Sequence, residues 1–161
     1  MSLIPNDDVY QALDSCQAHS HSSSSEVEAA IAGIIEAANS VAGNYCDKFL
    51  ELQQAGPGKG SRWPSVRARD GVGGKTLEIR WVRSIIGPEG RVRYTVPKGS
   101  GHAYNVNKLC KGSPDWEREL VAETESLFSI LRELYSQLSK CRQDLKRLDQ
   151  IKKKIEETLA A

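Results

Sequence analysis

The chain has 161 residues and a mass of 17.7 kDa, room for one domain of ordinary size, with 39% hydrophobic and 27% charged residues. No apolar run approaches the ~20 residues needed to cross a bilayer, and the start, Met-Ser-Leu-Ile-Pro, lacks the basic flank and apolar stretch of an export signal. These features exclude a membrane-spanning helix and predict a soluble cytoplasmic protein. Cys16, Cys46, Cys110 and Cys141 show no Cys-x-x-Cys spacing and no paired His, so reduced thiols are expected, with no metal site and no cofactor.

The net charge of +1 conceals a strong asymmetry. Residues 1–58 carry net −7, residues 59–112 net +9, and residues 113–161 net −1. A basic middle third of this kind points to a polyanionic partner, or to an acidic one within the chain.

In chain order, residues 1–16 are expected to form a short helix. Asn6 would cap it, Asp7 and Asp8 suit its positive end, and Val9, Tyr10 and Leu13 fall on one side. Gln17 to Ser24, rich in Ser and His without an apolar anchor, reads as a flexible linker. Residues 1–25 would thus stand apart from a single α+β domain over 26–161. Ser25-Glu26-Val27-Glu28 forms a capping box, and Val27, Ile31, Ile34, Ala38, Val41, Tyr45, Phe49 and Leu52 then recur at helical spacing. The spacing predicts an amphipathic helix over 26–54.

Over 62–97 the period changes to two. Val66 and Ala68 alternate with Arg67 and Arg69; Leu77, Ile79 and Trp81 alternate with Thr76, Glu78 and Arg80; Val92, Tyr94 and Val96 alternate with Arg91, Arg93 and Thr95. Three antiparallel strands follow, joined at Gly71–Gly74 and Ile86–Gly90, with one oily face and one basic face. Residues 98–112 read as a basic, glycine-punctuated loop. Ser113 and Pro114 then suit the cap and first turn of a helix over 114–159. Its seam runs through 120, 124, 127, 131, 134, 138, 141, 145, 148, 152, 155 and 159, a coiled-coil-like repeat. A helix about 70 Å long needs a cover, from the first long helix or from a second copy of the chain. The fold class is therefore α+β, in the order α-β-β-β-α.

Arg67, Arg69, Arg80, Arg91 and Arg93 are expected to project from one sheet face, with Arg83, Lys98 and Lys108 at strand ends and in loops. Guanidinium suits phosphate through paired hydrogen bonds, and like charges facing one another across strands cost stability unless an anion relieves them. His102 and Tyr104, in Lys98-Gly99-Ser100-Gly101-His102-Ala103-Tyr104, join the candidate DNA-binding set, the loop offering backbone donors to a phosphate. The competing view is a solvated face balanced by the acidic first helix. No positioned acid–base pair accompanies His102, so catalysis is not expected. Asp115, Glu117, Glu119, Glu123 and Glu125 read as charges favoured at a helix N-terminus rather than as a metal cluster.

Leu77-Glu78-Ile79-Arg80-Trp81, the loop at 98–104, and Asp115-Trp116-Glu117-Arg118-Glu119-Leu120, followed by a Leu-heptad helix, together resemble the MobI family. These are auxiliary mobilisation proteins of conjugative elements and plasmids, and the resemblance spans roughly residues 60–140. It implies a small cytoplasmic protein that recognises the double-stranded DNA of a transfer origin and assists the relaxase. It carries no catalytic residues across. A coiled-coil homodimer would present two basic sheets to two half-sites. The alternative from another class is a coiled-coil scaffold or adaptor working through Leu127, Leu134, Leu138 and Leu145.

Overall fold

The computed structural model describes residues 6–159: α1 (Asn6–Ala55), β1 (Arg62–Gly71), β2 (Gly74–Gly87), β3 (Gly90–Thr95), α2 (Val106–Leu109) and α3 (Asp115–Leu159). It is the expected α+β arrangement of a long helix, a three-stranded antiparallel sheet in the order β1-β2-β3, and a second long helix. The side-chain roles expected of Asn6, Asp7, Asp8, Val9, Tyr10 and Leu13 lie outside the described residues.

Two expectations about the helices need correction. The Ser/His-rich stretch 17–24 is no linker: α1 passes through it without interruption. Ser and His cost only a few tenths of a kcal/mol each relative to better helix formers, and no Gly or Pro interrupts the backbone ladder there. Ser22 Oγ also donates to Glu26 Oε1 one turn on, at 3.5 Å. The basic loop at 98–112 contains a helical turn of its own, α2, capped by Asn105, whose side chain accepts the Lys108 amide at 3.0 Å. The amides of Glu117 and Arg118 both donate to the Pro114 carbonyl at 3.1 Å, so the cap of α3 falls on Pro114 rather than Ser113.

The hairpins are tighter than expected. Pairing runs to Gly71↔Gly74 and Gly87↔Gly90, leaving two-residue turns at Val72-Gly73 and Pro88-Glu89. Among the described residues only glycines take positive φ, so these are not the mirror-image turns that match strand twist. Gly74 (φ 105°) and Gly90 (φ 113°) absorb the mismatch on the way out.

β2 serves two partners in succession. Its residues 74–83 pair with β1 and residues 82–87 with β3, so the two ribbons share only Val82 and Arg83. β3 is exposed along its whole length.

The described residues divide into two compact units, residues 32–135 and residues 6–31 with 136–159, and both long helices contribute to each. In the first unit, ring contacts run from Trp116 through Phe49 and Tyr45 to Trp81 and Phe128, with centroids 5.1–5.8 Å apart. Trp63 joins at 4.3 Å from Phe49. Gly60 is needed there, because a Cβ would stand 2.6 Å from both the Phe49 and Trp116 rings. In the other unit, Ile31 is buried and Arg142 Nε meets Glu28 Oε1 at 2.6 Å. The long helices therefore pair within the chain.

The seam of α3 is in part the expected one, with Leu120 and Thr124 buried, and in part shifted. Glu117, Val121, Thr124, Glu125, Phe128 and Arg142 are buried, with Leu131, Leu138 and Leu145 half-buried. Leu127 and Leu134 are 47% and 49% exposed, and Leu148 is exposed too. The expected positions 127, 134 and 141 give way to Phe128, Tyr135 and Arg142, one residue on, as the Phe128 ring turns its own face to the core.

The thiols differ in the same way. Burial, assisted by the charge of Glu117, pushes the Cys110 thiol above its ordinary range, while Cys141 is exposed. Brief maleimide treatment of the native protein near neutral pH is expected to label Cys141 and spare Cys110 until denaturant is added, as read by peptide mass spectrometry. Cys110 labelling at the Cys141 rate would show that this core opens.

Candidate nucleic-acid interface

Antiparallel partners share a face, so the register sorts the arginines. Ser65↔Arg80, Arg67↔Glu78 and Arg69↔Thr76 on the first ribbon, with Ser84↔Arg93 and Ile86↔Arg91 on the second, put Arg67, Arg69, Arg80, Arg91 and Arg93 on one side. That face is not purely basic: Trp63, Val82 and Ile86 share it, and Trp63 is covered by Phe49. Arg83 departs from the set, since it pairs with Arg62 and Tyr94 on the opposite, largely apolar face.

The five differ in freedom. Arg80 Nη2 donates to Glu78 on the same strand, so its charge is already met. Arg67, Arg69, Arg91 and Arg93 are exposed and make no ion pair among the described residues. They form two groups, one per ribbon. Six residues of β2, from Glu78 to Ser84, separate the partners of Arg67 and Arg93, about 20 Å of strand.

The loop residues have other duties. Lys98 Nζ donates to the Gly101 carbonyl, closing the loop on itself, and the positive φ of Gly99 (83°) and Gly101 (84°) permits the fold-back. The His102 carbonyl accepts Arg132 Nη1 at 2.5 Å. Tyr104 is a correction: only 6% exposed, it belongs to the core, its ring 5.0 Å from the Arg132 guanidinium and its hydroxyl facing the Trp81 amide. Lys108 remains exposed on α2.

Two buried carboxylates that pattern reading passed over hold this surface in place. Glu117 Oε1 accepts the amides of Ser61 and Arg62 at 2.5 and 2.6 Å, fixing the start of β1. Glu125 accepts Trp81 Nε1 at 2.7 Å, the Tyr104 amide at 2.8 Å, and both Arg132 terminal nitrogens at 2.8 and 2.9 Å. Arg132 Nε continues to the Ile79 carbonyl at 3.1 Å. One carboxylate thus ties β2, the 98–104 loop and α3 together, and all its partners are charged or polar donors.

The chain is thus a helix–sheet–helix α+β protein with exposed guanidiniums along two β-ribbons, and no group of three or more His, Cys, Asp or Glu that could hold a metal ion occurs among the described residues. Residues 34–146 match the family model described as MobI protein. The chain belongs to the MobI family and is a mobilisation-related accessory protein. No curated protein and no solved structure matches it. No helix of the described residues is long and apolar enough to cross a membrane.

Proposed function

We propose that the protein is a cytoplasmic DNA-binding accessory factor of conjugative transfer, which recognises the double-stranded DNA of the transfer origin and assists the relaxase there. The observation that carries this reading is the quartet Arg67, Arg69, Arg91 and Arg93, exposed on one sheet face with no ion pair among the described residues. Cations held on rigid strands without internal partners favour a polyanion, and a duplex major groove about 12 Å wide admits a two-stranded ribbon. Family membership supports the mobilisation context.

A mobility-shift titration tests it. Purified protein is expected to retard origin DNA at concentrations well below those needed for random DNA of equal length, with affinity falling steeply as salt rises. No retardation of either DNA at low salt would remove the proposal.

The partial exposure of Leu127 and Leu134 favours one further reading, a helix face that meets a second protein or a second copy of the chain. Leu138 and Leu145 contribute less, being half-buried. A homodimer would bring two arginine faces to two half-sites, and light scattering of the purified chain decides between monomer and dimer.

A further inference from the structure

On the opposite sheet face from the arginine quartet, a cleft is lined by Arg62, Arg83, Val96, Lys108, Leu109 and Lys111. Four of its six lining residues are cations and none is a carboxylate. Arg62 and Arg83 are direct cross-strand partners, so two like charges face each other across neighbouring strands, an arrangement that costs stability in the absence of an anion. Burial lowers the proton affinity of Arg62, the nearby Glu117 carboxylate partly offsets this, and the Arg83 charge adds a smaller lowering.

The cleft is also held in shape before any ligand arrives. Arg62 Nε donates to the Leu109 carbonyl at 2.7 Å and Nη2 to the Lys111 carbonyl at 3.0 Å. Its Nη1 donates to Ser61 Oγ. These bonds fasten the segment bearing Lys108 and Lys111 to the start of β1, while Asn105 caps the turn from the other end. Arg62 is consumed as a buried strut, and the exposed side chains of Arg83, Lys108 and Lys111 are left to meet a ligand. A guanidinium fork beside two ammonium groups suits a tetrahedral phosphoryl oxyanion better than a planar carboxylate, because it offers donors from three directions.

We infer that the cleft bounded by Arg83, Lys108 and Lys111 binds a phosphate group, at a site separate from the arginine face. That group comes either from a nucleic-acid backbone or from a free phosphate monoester, and two arms of one experiment separate these sources.

In the first arm the thermal midpoint of the full chain is measured in inorganic phosphate and in chloride at equal ionic strength, for wild type, Arg83→Ala and the double variant Lys108→Ala/Lys111→Ala. Phosphate is expected to raise the wild-type midpoint by about 2–4 °C beyond chloride, and most of that gain should vanish in both variants. Phosphate stabilises proteins non-specifically, so the difference between wild type and variants carries the result. Equal gains in all three proteins would overturn the site. All three side chains are exposed, and circular dichroism confirms that the variants stay folded.

In the second arm, wild type and the lysine double variant are titrated with duplex DNA over a range of salt. A slope of log Kobs against log[salt] less negative by about 0.9 in the variant assigns the phosphate to the duplex backbone. An unchanged slope alongside a lost phosphate gain retains the site and assigns it to a free monoester. The first arm contains no DNA, so the cleft stands or falls independently of the proposed DNA-binding function.

Discussion

Glu125→Ala is expected to destabilise the chain by about 3–5 kcal/mol, lowering the thermal midpoint by roughly 10 °C. The variant leaves Arg132 as an uncompensated charge whose side chain is only 10% exposed, and it strips acceptors from Trp81 Nε1 and the Tyr104 amide. Three losses meet at one residue, and total stabilities of 5–15 kcal/mol leave little reserve. Glu125→Gln should fall between, keeping one acceptor oxygen but turning a donor toward the guanidinium. Lys48→Ala is the control. Lys48 meets Glu123 at 3.6 Å with both side chains more than half exposed, and its loss should stay within about 0.5 kcal/mol. Chemical denaturation with a constant m-value measures all three. A Glu125→Ala loss no larger than the Lys48→Ala loss would mean that the buried network contributes nothing net.

A seam placed on the leucines of α3 hides the structural role of Glu125 and Glu117. On the seam through Leu127 and Leu134, both glutamates look like the ordinary acidic decoration of a helix N-terminus, alongside Asp115, Glu119 and Glu123. On the stripe that the core actually uses, Glu117, Val121, Thr124 and Phe128 follow at steps of four, three and four, and Glu125 sits beside Thr124. Two acids then fall at core positions, and a buried acid demands a donor. Arg132 lies two turns beyond Glu125 on the same face. Aromatic size, through Phe128, was the signal that would have set the stripe correctly.

The strands were far more legible, because alternation has a period of two and a slip of one residue would turn every arginine to the other side. That periodicity placed five arginines on one face and left the stagger of the ribbons unseen. Stagger follows from where each two-residue turn closes. The pairs Gly71↔Gly74 and Gly87↔Gly90 lie 13 residues apart at their β2 ends, at Gly74 and Gly87, so β2 must be longer than either neighbour. Arg83 follows Leu77, Ile79 and Trp81 at the same step of two, which puts it on the apolar face across from Arg62. Tyr104 differs for another reason: a loop rich in Gly and Lys reads as exposed, whereas Arg132 and Glu125, distant in sequence, make its burial favourable.

The stagger also makes the DNA-binding proposal quantitative. Replacing Arg91 and Arg93 by Ala should make the salt slope of duplex binding less negative by about 1.8, and replacing Arg67 and Arg69 should do the same. All four changes together should remove about 3.6, because the two pairs sit on different ribbons about 20 Å apart along β2, well beyond a Debye length of about 8 Å at physiological salt. Each pair would then neutralise its own phosphates, and the effects should add. Arg80→Ala, by contrast, should change the slope little, since Glu78 already holds that guanidinium. Sequence discrimination offers a second readout on the same variants. A pair that touches only phosphate weakens origin and random DNA alike, whereas a pair that reads base edges loses origin binding first. Because β3 is exposed along its length, Arg91 and Arg93 are expected to be the discriminating pair, and Arg67 and Arg69 the anchoring one. If the quadruple variant binds with the wild-type slope, the arginine face plays no part in contacting DNA.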